Sequence, residues 1–160
     1  MKKKVFTGCV WALIITQLLF IFSMSAQSGS TSGQLSARVT RAIARITTPN
    51  FSQLPGLKQN RIVRKYHRYV RKSAHLLEYA LLAMLLTLAL RKMGLRGALT
   101  SVCACVLLAM LDETRQMFSG GRSPLATDVL IDSLGAGLGS LAVSGAIWLK
   151  KRRKAGANLA

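Results

Sequence analysis

The chain has 160 residues, room for one domain, and sets 23 Lys and Arg against five Asp and Glu, a formal net charge of +18. That charge would suit a nucleic-acid binder, but 51% of the residues are hydrophobic and they gather in long runs between basic segments. This pattern excludes a soluble basic domain and points to an all-α membrane protein whose cations meet anionic lipid headgroups or a wall polyanion, with no nucleic-acid partner.

Lys2, Lys3 and Lys4 precede an apolar run from Val5 to Phe22, interrupted only by Thr7, Gly8, Thr16 and Gln17. At about 1.5 Å per residue this just spans roughly 30 Å of hydrocarbon, giving a first transmembrane helix over about 5–24. A cleaved signal peptide would share the basic start and the small residues of Ser23-Met-Ser-Ala26. Its apolar core usually runs only about 7–15 residues, so a retained span is the better reading.

Ser25 to Gly33 is rich in Ser and Gly and reads as a polar linker at the membrane surface. From 34 to 48, Leu35, Val39, Ile43 and Ile46 recur at helical spacing while Arg38, Arg41 and Arg45 occupy another face. That predicts a basic amphipathic helix, either lying in the interface or packed on other protein. Pro49 and Pro55 break the chain. Residues 59–72 are again basic and amphipathic, with Ile62, Tyr66, Tyr69 and Val70 on one side. No breaker separates them from the second span, 73–90.

Gly94 fits a C-cap for that span. A third span over 97–117 follows, then a Gly120-Gly121 turn. Ser123-Pro124 suits a helix start, and a fourth span over 124–149 ends at Trp148 and the basic run Lys150–Lys154. The fold class is a four-transmembrane-helix bundle with basic amphipathic surface helices in the first loop, one membrane domain over 1–160. Cys9, Cys103 and Cys105 all fall in apolar runs and read as small packing residues, not as disulfide or metal positions. Cys103 and Cys105 sit on nearly opposite helix faces.

Four spans put both termini on one side. The lysines before the first span and the basic run after the last both orient those helices with their termini in the cytoplasm. Summed over the whole chain, this arrangement leaves eleven Lys and Arg inside and twelve outside, so the total does not decide. The terminal helices do, since the first span usually dominates and nine of the outer charges fall in the two surface helices.

The five carboxylates are the informative residues. Four of them, Asp112, Glu113, Asp128 and Asp132, lie within 24 residues, and the fifth is Glu78. Each is beside or inside an apolar run, where an ionisable group faces a bundle interior or a wet cavity and needs partners. His75 shares a helix face with Glu78 and Tyr79, Asp112 and Glu113 each share one with Gln116, and Asp128 shares one with Asp132. Any four-span threading brings these three stretches to the same membrane face, extracytoplasmic if the termini are inside. Arg71, Lys72, Arg115 and Arg122 lie nearby. His67 reads as a surface residue of the basic segment.

Three uses of such a pocket remain open from the residues. A charge-paired cluster could only fix helix packing. The same groups could bind a ligand, arginine gripping phosphate or carboxylate and the acids taking ammonium. Or His75 with Glu78, Asp112, Asp128 or Asp132 could do acid–base chemistry. One histidine among carboxylates is thin for zinc and would suit Mg²⁺ or Mn²⁺ better, but nothing in the sequence calls for a metal or a cofactor. Gly135 and Gly139 have the small-xxx-small spacing that lets membrane helices approach, within the bundle rather than across a dimer.

The ordered set Arg71-Lys72-x-x-His75-x-x-Glu78-Tyr79, Asp112-Glu113-x-x-Gln116 and Gly121-Arg122-x5-Asp128-x3-Asp132-x2-Gly135 resembles the VanZ-like family of bacterial membrane proteins. Ser25-Ala-Gln27-Ser28-Gly29 resembles the short Ser/Gln motif that follows the first span in many members. Leu76-Leu77 departs from the pattern, where an aromatic would follow the histidine. The resemblance implies a multi-pass protein of the bacterial cytoplasmic membrane and importance for His75, Glu78, Tyr79, Asp112, Glu113, Gln116, Arg122, Asp128 and Asp132. It also implies an association with low-level glycopeptide resistance, teicoplanin in particular, or with envelope maintenance. It supplies no reaction. A lipid headgroup, a wall precursor or a lipophilic glycopeptide at the outer face is the expected ligand class.

Overall fold

Helix α3 (Gly56–Ala89) is the element on which the rest is assembled. In the structure, a computed structural model that describes residues 2–27, 29–118 and 126–157, it is preceded by α1 (Lys2–Ser25) and α2 (Gly29–Thr47) and followed by α4 (Leu95–Met117) and α5 (Ala126–Ala157). Short 3₁₀ turns at Phe51–Gln53 and Arg91–Met93 lead into α3 and α4. Among the described residues there is no strand. Four of the helices, all but α2, are long and apolar enough to cross a membrane.

The basic segment 59–72 and the apolar segment 73–90 are therefore halves of one rod. At 34 residues and about 1.5 Å per residue, α3 is about 51 Å long, against roughly 30 Å of hydrocarbon. Its basic half extends beyond the span. Helices α1 and α2 run antiparallel to it in succession. Arg91, just past α3, stacks on Phe6 at 4.8 Å, and Gln17 donates to the Glu78 carbonyl at 3.2 Å. Further along, His67 Nε2 lies 3.1 Å from the Gly33 carbonyl oxygen, and Arg41 donates to Asn60 at 2.9 Å. The break between α1 and α2 thus falls beside the junction of the two halves of α3.

Several local expectations change. Residues 29–33 belong to α2, not to a linker. Helix α2 packs on α3 through a face other than its apolar stripe: Thr40 and Ala44 are buried, with Ala37, Phe51 and Val63 in the same small core. Leu35, Val39, Ile43 and Ile46 stay exposed, because small residues allow a closer helix approach than branched ones. Tyr66 and Tyr69 likewise point away, and Val63 takes the buried position on α3. Gly94 does not cap α3 directly; it lies beyond the 3₁₀ turn at φ 60°, ψ −131°, a conformation that suits only glycine, and starts α4. Helix α5 continues through the basic run to Ala157, with Arg152 stacked on Trp148 at 4.3 Å. The Gly120-Gly121 turn and the Ser123-Pro124 start lie outside the described residues.

The spanning core is narrow. Val10, Ile14 and Ile21 of α1 meet Tyr79, Leu82 and Ala83 of α3, Cys105 and Ala109 of α4, and Ala136 of α5. Outside it, Leu13, Leu19, Leu81, Leu107, Leu134 and Leu141 are among many large apolar side chains left exposed. A soluble protein could not keep such a surface in water; in a bilayer it is the surface that lipid wets. Of the three cysteines expected to pack in the core, only Cys105 does; Cys9 and Cys103 are exposed on the outside of the bundle.

Candidate functional site

The site is built where four helices meet at the α1–α2 break. Close approach of α3 and α5 sets its floor: a Cβ on Gly135 would collide with the Leu76 carbonyl, and one on Gly139 with the Ala80 carbonyl. With the two backbones this near, the short side chain of Asp132, one turn before Gly135, reaches His75, one residue before Leu76. Their Nδ1 and Oδ1 atoms are 3.5 Å apart. This ion-pair distance is longer than a hydrogen bond, and neither atom has a hydrogen-bond partner.

His75 also forms part of the wall of a cavity of about 170 Å³. Beside it in the lining are Arg71 and Glu78 from α3 and Asp112 and Gln116 from α4. Gln116 Nε2 donates to Asp112 Oδ2 at 2.8 Å, the i, i+4 contact their spacing predicts. Both residues are 3% exposed, and Asp112 Oδ1 accepts no hydrogen bond. The rest of the lining is mainly apolar: Phe20, Ile21 and Met24 from α1, Leu35 and Val39 from α2, and Val70 from α3, with Ser25 and Ser36 among them. The charged groups of the cavity come from α3 and α4, and α1 and α2 add no charge.

Not every predicted residue joins it. Tyr79 is fully buried in the spanning core, its hydroxyl without a hydrogen-bond partner. Lys72, Glu113 and Asp128 are half-buried but do not line the cavity; Asp128 Oδ1 accepts from Thr127 at 3.4 Å. Asp132 stands behind His75 and is absent from the lining. Arg115 turns to the Phe22 ring at 5.8 Å. Arg122 lies outside the described residues. Gly135 and Gly139 lie against α3 within the bundle.

Sequence reasoning missed the contribution of α2 altogether, because its apolar residues were assigned first to the membrane interface. It also missed Gln17, although a glutamine in the middle of an apolar run was a visible signal. A second polar contact escaped it: Thr87 donates to Ser140 at 3.0 Å, and Ser140 to the Ala98 carbonyl at 3.3 Å, joining α3, α5 and α4. Among the described residues no group of three or more His, Cys, Asp or Glu side chains is arranged to hold a metal.

Four spanning helices with a polar cavity at one end define a multi-pass α-helical membrane protein. A family model described as VanZ/LLP1 matches residues 10–149. The chain belongs to that family. No curated protein and no solved structure matches it significantly.

Proposed function

We propose that the protein binds the small polar headgroup of a membrane amphiphile at the extracytoplasmic face of a bacterial cytoplasmic membrane. The observation that carries this reading is the make-up of the cavity lining at the α1–α2 break: its charged groups come from α3 and α4, and its α1 and α2 side is mainly apolar. An amphiphile satisfies both at once, its headgroup against Arg71, His75, Glu78 and Asp112 and the start of its chain along Phe20 and Ile21 of the spanning helix α1. At about 170 Å³ the cavity is smaller than the roughly 300–1,000 Å³ that encloses a drug-sized ligand. This favours a lipid or precursor headgroup over the peptide core of a glycopeptide. A part in glycopeptide resistance or envelope maintenance would then follow from holding that amphiphile.

Native mass spectrometry of the purified full-length protein tests the reading. Wild type should retain lipid-mass adducts, and Ala74→Trp, which fills the cavity at its lining, should lose them while keeping its helicity. Equal retention by both overturns it.

The His75–Asp132 pair supports a second reading, acid–base chemistry on the bound headgroup. A carboxylate behind an imidazole whose other edge meets a cavity is the arrangement that orients a general base. If Asp132→Asn and wild type, expressed to the same level, leave the same membrane lipid profile, that reading falls and binding alone remains.

A further inference from the structure

Within the headgroup-binding reading, on which this rests, we infer that the headgroup is a primary ammonium linked to a phosphate. Three features of the cavity lead there. Asp112 is 3% exposed, lines the cavity, and has Oδ1 without a hydrogen-bond partner while Gln116 occupies Oδ2. A buried carboxylate oxygen with no donor is costly, and a ligand that brings N–H groups removes that cost. Glu78 adds a second carboxylate to the same lining, which makes the donor sought a cation rather than a neutral hydroxyl. Arg71 supplies the opposite charge from about two turns earlier on α3, and its planar fork suits a phosphate oxygen pair.

Size completes the argument. An ammonium with three N–H donors can serve Asp112 and Glu78 together within a small cavity. A trimethylated nitrogen has no donor to give the orphaned oxygen, and a glycerol headgroup brings hydroxyls but no charge. The amine therefore sits deepest, between α3 and α4, the phosphate lies toward Arg71, and the chain leaves past Phe20 and Ile21 of α1 into the bilayer. The same chemistry is carried by an aminophospholipid and by an amine-bearing, phosphate-linked soluble headgroup.

The test uses full-length protein in detergent and native mass spectrometry with three phospholipids of identical acyl chains bearing ethanolamine, choline or glycerol. Soluble glycerophosphoethanolamine is the competitor. Wild type should prefer the ethanolamine lipid by about tenfold or more, the scale of losing one partner of a buried charge pair. Asp112→Asn should abolish that preference while still binding all three, and Glu78→Gln should weaken it, both with unchanged helix content. Displacement by the soluble competitor at equal concentration would place recognition in the free headgroup; no displacement would place it in the intact lipid. Either keeps the amine–phosphate assignment. Equal retention of the three lipids by wild type, lost in Ala74→Trp, overturns the assignment and leaves headgroup binding standing. A preference that survives both Asp112→Asn and Glu78→Gln also overturns it. No retention of any lipid sinks both readings.

Discussion

The carbonyl oxygen of Leu76 occupies the place where a side chain on Gly135 would begin. One turn along, the Ala80 carbonyl does the same to Gly139. These contacts hold α3 and α5 at a separation that only glycine permits, and the His75–Asp132 approach depends on it. Gly135→Ala and Gly139→Ala should each destabilise the bundle by about 1–3 kcal/mol, the scale of overpacking. Gly137, between them, has open space at its Cβ position, so Gly137→Ala should be neutral or slightly stabilising. Reversible unfolding in mixed micelles would separate the three. Equal effects at 135 and 137 would show that the helices do not pack through this stripe.

Tyr79 behaves differently from its neighbours in the motif. It is buried in the spanning core and its hydroxyl makes no hydrogen bond. Removing a buried donor that has no partner forfeits no interaction and removes its desolvation cost. Tyr79→Phe should change stability by less than about 1 kcal/mol and leave lipid retention as in wild type. Lipid retention that falls in Tyr79→Phe would put the hydroxyl against the ligand instead.

Thr87 and Ser140 form a polar contact inside the bundle, extended to the Ala98 carbonyl on α4. Hydrogen bonds between membrane helices contribute modestly, since the separated helices find other partners. A double-mutant cycle of Thr87→Val with Ser140→Ala should give a coupling of about 0.6 kcal/mol, and no more than about 1.7. Strict additivity in the cycle would mean that the two hydroxyls do not interact.

The fold was readable in advance because membrane insertion leaves coarse marks: apolar runs of spanning length between basic segments. Convergence of His75, Glu78, Asp112, Gln116 and Asp132 on one end of the bundle was readable too, since an up-and-down threading fixes which helix ends meet. Orientation about each helix axis was not. In α2 the apolar residues looked like a face for the membrane interface, yet Leu35 and Val39 border the cavity while Thr40 and Ala44 are the buried ones. Hydropathy cannot tell a side chain that faces protein from one that faces an amphiphile, because both environments are apolar. Tyr79 failed for a related reason. Helical spacing put it on the face of His75, but a face about a third of a turn wide can point partly to the cavity and partly to the core.

The position of the α2–α3 hairpin gives the most direct test of which way the cavity opens. Helix α3 passes the cavity between Val70 and Glu78, so its basic half and the turn at Phe51–Gln53 lie on the cavity side of the membrane. Charge totals cannot orient the chain, but the positive-inside rule applied to Lys2–Lys4 and Lys150–Lys154 predicts both helix ends in the cytoplasm. On that prediction the hairpin tip is outside. Ser52 is exposed in that turn, Cys9 and Cys103 are exposed but lie within helices apolar enough to span the membrane, and Cys105 is buried. A Ser52→Cys variant should therefore react with a membrane-impermeant maleimide in right-side-out vesicles, whereas wild type should not. Labelling confined to inside-out vesicles would put the hairpin and the cavity in the cytoplasm, reverse both termini, and restrict the bound amphiphile to the inner leaflet.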